Sequence, residues 1–135
     1  MPPDDAHGDK ILLTVPAAPE FVRLARLTAA GLATRIGMGY DEVEDLRIAV
    51  GEACSLLIGT GTRAGSLSLG FTLGDDRVTI DVTGEFQGEV GEPADTALSD
   101  QILDAVVDDH GVDVAADHVW LVKTHGSDDL TVGLA

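Results

Sequence analysis

Few residues in this chain have the type and spacing to do chemistry, and the most informative two lie on one predicted helix. Glu52 and Leu56 are four residues apart within the stretch Tyr40 to Ile58, so they project side by side from its surface. A carboxylate in that position is a candidate for chemistry, whereas an aliphatic neighbour supplies no ligand atom. Arg23, Arg26 and Arg35 fall on the outer faces of the preceding helical stretch. His7, His110, His118 and His125 show no metal-like clustering with cysteine or close carboxylate pairs, so no metal site is expected. Cys54 reads as a small buried core residue, not a reactive thiol. Trp120 reads as a strand core residue, and Asp108-Asp109 and Asp128-Asp129 as a helix end and a turn.

Composition narrows the classes available. The chain has 135 residues, enough for one domain with one substantial core. Its formal net charge of -16 comes from 24 acidic against 8 basic side chains. A phosphate backbone would be repelled, which argues against direct nucleic-acid binding. The same field would speed encounter with a basic partner. No apolar run is long enough to span a membrane. The acidic start Met1-Pro2-Pro3-Asp4-Asp5 does not read as a secretory signal, and a single cysteine fits a reducing cytoplasm.

The elements that must position these residues can be read in order. Residues 1–9 lack periodicity and read as a flexible tail, followed by a single domain over 10–135. Lys10 to Val15 predicts a strand closed by Pro16, and Pro19 suits the first position of a helix running to about Ile36. The helix from Tyr40 to Ile58 is expected to be capped by Asp41, with Glu44 completing a capping-box-like pair. Leu46, Ala49, Val50, Ala53 and Leu57 form its burying stripe. Ser66–Leu73 and Arg77–Thr83 alternate with period two around Gly74-Asp75-Asp76, which predicts a hairpin. Gly84 to Thr96 reads as a loop, Leu98 to about Asp109 as a third helix, and His118–Thr124 and Leu130–Leu134 as closing strands. This order implies a mixed α+β fold, a two-layer sandwich with helices on one face of a mostly antiparallel sheet.

The segments Pro16–Phe21, Arg26–Thr28, Tyr40–Leu46 and Glu52-Ala53-Cys54 resemble the anti-sigma-factor serine kinases of bacterial partner-switching systems. These have the histidine-kinase-like (GHKL) ATPase fold. The resemblance is strongest up to Ile58 and rests mainly on element order thereafter. It implies a cytoplasmic homodimer that sequesters an alternative sigma factor and is opposed by a STAS-type antagonist. Active members phosphorylate that antagonist with Mg-ATP.

Carried over residue by residue, the resemblance splits. Glu52 matches the family's general base. Four residues later the family holds Mg²⁺ with Asn, where this chain has Leu56; no Asn occurs anywhere in it. The adenine-binding Asp of the family corresponds to Thr83, with Asp81 two residues early. The second glycine box corresponds to the glycine-free run Asp95 to Gln101, with Ser99, also a possible cap of the third helix, as its degenerate position. Glu85, Glu89, Glu92 and Asp95 would repel a triphosphate from the lid. No bound ATP or Mg²⁺ is therefore expected, and the chain reads as a pseudokinase. Arg26 matches the first-helix arginine used against both partners, and Arg23 is its companion. The alternative readings are an active serine/threonine kinase with a rebuilt site, and a sensor whose vacated pocket takes another small molecule.

Overall fold

The computed structural model describes residues 8–59, 64–88 and 95–126. Within them the order is β1 (Asp9–Pro16), α1 (Pro19–Arg35), α2 (Tyr40–Ile58), β2 (Gly65–Leu73), β3 (Arg77–Phe86), α3 (Ala97–Val106), β4 (Asp109–Asp113) and β5 (His118–Thr124), with one 3₁₀ turn at Val114–Ala116. The strands form one sheet in the order β1-β2-β3-β5-β4, every neighbouring pair antiparallel. The helices pack on one of its faces, which bears out the expected α+β sandwich.

Alternation fixes which residues face the helices. Leu69, Val82 and Val119 stand opposite one another in register across β2, β3 and β5, as do Phe71, Ile80 and Leu121, and all six are fully buried with Leu67 on the same face. A one-residue slip would turn this whole set to the other face, so the pattern pins the register. α1 contributes Val22, Ala25, Ala29 and Ala33, and α2 contributes Leu46, Ala49, Val50, Ala53, Cys54 and Leu57. Alanine on both helices leaves little between the backbones, so α1 and α2 lie close together. The expected stripe of α2 is therefore its buried face.

Several local expectations are corrected. α2 is capped by Gly39, not by Asp41 and Glu44: the Glu42 carboxylate reaches back to accept the Gly39 N–H at 3.0 Å. Glu42 is also the acceptor for the His125 ring at 2.8 Å and the Gly126 N–H at 2.7 Å, so it ties the start of α2 to the end of β5. β3 continues past Thr83 to Phe86, whose ring lies against Gly84 and Gly65 where a Cβ would collide with it. α3 stops at Val106, because Asp109–Asp113 forms β4, a strand absent from the sequence reading. Trp120 is half-buried on the face away from the helices, with its indole over Gly111, and is not a core residue. The strand expected at Leu130–Leu134 and the acids Glu89 and Glu92 lie outside the described residues.

The Glu42 arrangement has a pH signature. Partial burial works to raise its pKa, but the Gly126 and Gly39 N–H groups and the His125 ring outweigh it and hold the carboxyl below the ordinary 4.5. A carboxylate with a depressed folded-state pKa adds stability above its unfolded pKa and loses it as pH falls through the folded value. Glu42→Gln is expected to cost about 1–2 kcal/mol near neutral pH, the worth of hydrogen bonds to a charged acceptor. The gap between variant and parent should close as pH drops below 4.5, which urea unfolding at neutral and acid pH measures.

Candidate functional site

The site forms where α2 meets α3 on one side and α1 on the other. Glu52 sits on the flank of α2, next to its buried stripe, and its carboxylate accepts a 2.6 Å hydrogen bond from Ser99 Oγ in the first turn of α3. Ser99 is 9% exposed, so its hydroxyl needs a partner inside the protein. Two positions 47 residues apart, both singled out in the sequence, thus meet directly. Leu56, four residues on from Glu52, is half-buried and packs against the hydrophobic core. Thr83 is not brought to them. It alternates with buried Val82 and stands opposite Ser68 and His118, on the sheet face away from the helices. Asp81 lies on that same face, 2.8 Å from His118 Nε2.

On its other side Glu52 borders a cleft of about 400 Å³, shared with Arg26, Glu44, Arg47, Ile48 and Ser55. Arg26 rises from α1 across α2, and Gly51 is what admits it. A Cβ at Gly51 would lie 3.1 Å from Arg26 Nη1 and 3.3 Å from its Cδ. Among the described residues Arg26 and Arg23 form no ion pair, whereas Arg47 reaches Glu44 at 3.5 Å. Arg23 is exposed one turn earlier on α1, flanked by the exposed Leu24 and, four residues on, Leu27. In a chain with three acids for each base, free guanidinium groups beside apolar side chains make a surface suited to an acidic, partly apolar partner.

Cys54 is fully buried beside this cleft. Burial pushes its thiol up to about 12, against the opposing pull of the Arg26 charge. Among the described residues no three His, Cys, Asp or Glu side chains converge as a metal-binding group, and no helix is long and apolar enough to cross a membrane.

Some organising residues carry no signal that was used in the sequence. Lys123 Nζ, 12% exposed, donates to Asp45 of α2 at 3.2 Å and to the Val106 carbonyl at the end of α3 at 2.9 Å. Its place at the end of an apolar strand is the available clue, since a lysine there must find partners. Glu42 is detectable too, lying three residues after a glycine that ends the preceding turn.

The described residues thus form an antiparallel five-stranded sheet carrying three helices, with Glu52 of α2 bonded to the first turn of α3. The chain matches the histidine kinase-like ATPase domain over residues 15–124, and it belongs to that family. It is 37% identical over 110 residues to the serine-protein kinase RsbW of Bacillus subtilis, an alignment covering 79% of this chain and 66% of that protein. It is 44% identical over 80 residues to the protein of the same name from Halalkalibacterium halodurans, covering 58% and 49%. The corresponding Bacillus cereus (strain B4264) protein is 39% identical over 74 residues, covering 53% and 46%. The chain thus spans about half to two thirds of the length of the curated relatives it matches.

The buried thiol gives a direct check on this region. Cys54 is expected to remain unmodified by a thiol reagent at pH 8 in the folded protein and to react fully once the chain is unfolded. Fast labelling under native conditions would mean that α2 does not bury the face described.

Proposed function

We propose that this chain is an anti-sigma factor that binds and sequesters an alternative sigma factor, and whose Mg-ATP site is lost. In this reading a STAS-type antagonist, competing for the same helical face, controls release, and the chain acts as a cytoplasmic homodimer. The kinase named in its relatives would then survive as a binding frame. The observation that carries the reading is a contrast across one helix. Glu52 is committed to Ser99 beside a core-packed Leu56, while Arg26, with no ion pair among the described residues, lies over Gly51 on the other side.

The residues at the nucleotide positions do not fit the family's cofactor. Mg²⁺ takes oxygen ligands, and Leu56 has none to offer. Phosphoryl transfer depends on a positioned metal and positioned phosphates. Thr83 faces the far side of the sheet, and the Glu52 carboxylate is engaged by the Ser99 hydroxyl in a run where the resemblance implies a glycine box. No step of a kinase reaction is therefore assigned. The alternative, an active serine/threonine kinase, draws its support from the ATPase-domain family match and from the names of the relatives.

Capture of the host's purified alternative sigma factors on the immobilised protein tests the binding claim. One sigma factor is expected to be retained, and Arg26→Glu is expected to reduce retention at least tenfold, with Arg23→Glu weaker in effect. Retention of none, or equal retention by Arg26→Glu, would contradict it. A second variant separates surface from fold. Gly51→Ala gains helix propensity of up to about 1 kcal/mol, and the Arg26 side chain, 3.1 Å from the new Cβ, need give only slightly to admit it. It should unfold near the parent's temperature and keep sigma-factor capture, so that loss of capture in Arg26→Glu reports the charge and not the packing of α1 on α2.

A further inference from the structure

Two carboxylates on α2 have a role that neither partner binding nor phosphoryl transfer explains. Asp45 and Glu52 are seven residues apart, two helical turns, and so share a face. That face looks onto α3, and each carboxylate serves a different end of it. At the N-terminal end, Glu52 accepts the Ser99 hydroxyl at 2.6 Å. At the C-terminal end, Asp45 holds Lys123 at 3.2 Å, and the same ammonium donates to the last carbonyl of α3, Val106, at 2.9 Å. Both signs match the helix dipole, which favours negative charge at its start and positive charge at its end.

The other charged groups around α3 do not supply this hold. Asp100 accepts the Thr96 hydroxyl at 3.1 Å and lies 3.1 Å from His110 Nε2. Asp104 lies 3.4 Å from the other ring nitrogen of His110. These contacts tie α3 to β4, not to α2.

We propose that Asp45 and Glu52 form a two-point clamp that locks α3 against α2 through the chain's own side chains. Glu52 is then a positioning residue, the resident anion at a helix start of the kind that otherwise receives a phosphate. The clamp keeps the helix beside the site closed, so the partner-facing surface of α2 has one fixed shape.

Amide hydrogen exchange across residues 97–106 tests this on the isolated chain, with α1 as the internal reference. Ser99→Ala and Asp45→Asn are each expected to speed exchange in α3 by about tenfold or more, the change that a contact worth roughly 1.4 kcal/mol produces, while α1 stays near the parent rate. Glu52→Ala should do the same, and adding Ser99→Ala to it should change little, because the two groups form one contact. Unchanged α3 exchange in both Ser99→Ala and Asp45→Asn, or additive effects of Glu52→Ala and Ser99→Ala, would overturn the clamp. Because no sigma factor enters the measurement, its failure would leave the partner-binding reading untouched.

Discussion

The burial of α2 on three sides constrains everything around it. Its stripe of Leu46, Ala49, Val50, Ala53 and Leu57 must lie on the sheet and against α1. The remaining flank, with Asp45 and Glu52, is thereby turned to α3, and the outer face, with Ile48 and Ser55, is left at the surface. Alanine on both sides of the α1–α2 contact brings the helices close enough for one arginine to lie across a glycine of its neighbour. The position of Arg26 therefore follows from packing before any partner is considered.

Electrostatics then divides the surface. Acidic side chains exceed basic ones threefold, and the largely buried Lys123 ammonium stands where a carboxylate and a carbonyl would otherwise lack it as a partner. Lys123 joins Asp45 to the end of α3, and His118 and His125 face Asp81 and Glu42. Among the described residues Arg23 and Arg26, like Arg35 on the same helix, form no ion pair, and α1 also exposes Leu24 and Leu27. Exposed leucines beside exposed charge combine apolar area with charge that a partner can meet, which is why the functional reading is centred there.

Most of the fold was legible because its signals are periodic. The hairpin of β2 and β3 follows from strict alternation around Gly74-Asp75-Asp76, and the buried face of α2 from its helical spacing. β4 was missed because Asp109-His110-Gly111-Val112-Asp113 has a polar edge-strand composition, and its pairing with β5 is a long-range matter. Trp120 was misplaced because an aromatic residue in a strand does not reveal which sheet face is covered. Here it lies over Gly111 on the face away from the helices. The cap of α2 was misassigned because Asp41 has the right side chain, while the backbone turn places Gly39 at that point and brings Glu42 back to it. At the site, the individual positions of Glu52, Leu56 and Ser99 were readable by resemblance. That Ser99 would bond Glu52 was not, since it depends on how α3 docks.

The central claim is that this chain keeps the frame of a kinase-like ATPase domain and binds partners with it, without Mg-ATP chemistry. Isothermal titration of the purified protein with Mg-ATP tests it most directly, followed by assay of the same sample for phosphate transfer to the proposed STAS-type antagonist. The account predicts no binding heat and no phosphorylated antagonist. Micromolar binding accompanied by phosphate transfer would contradict it.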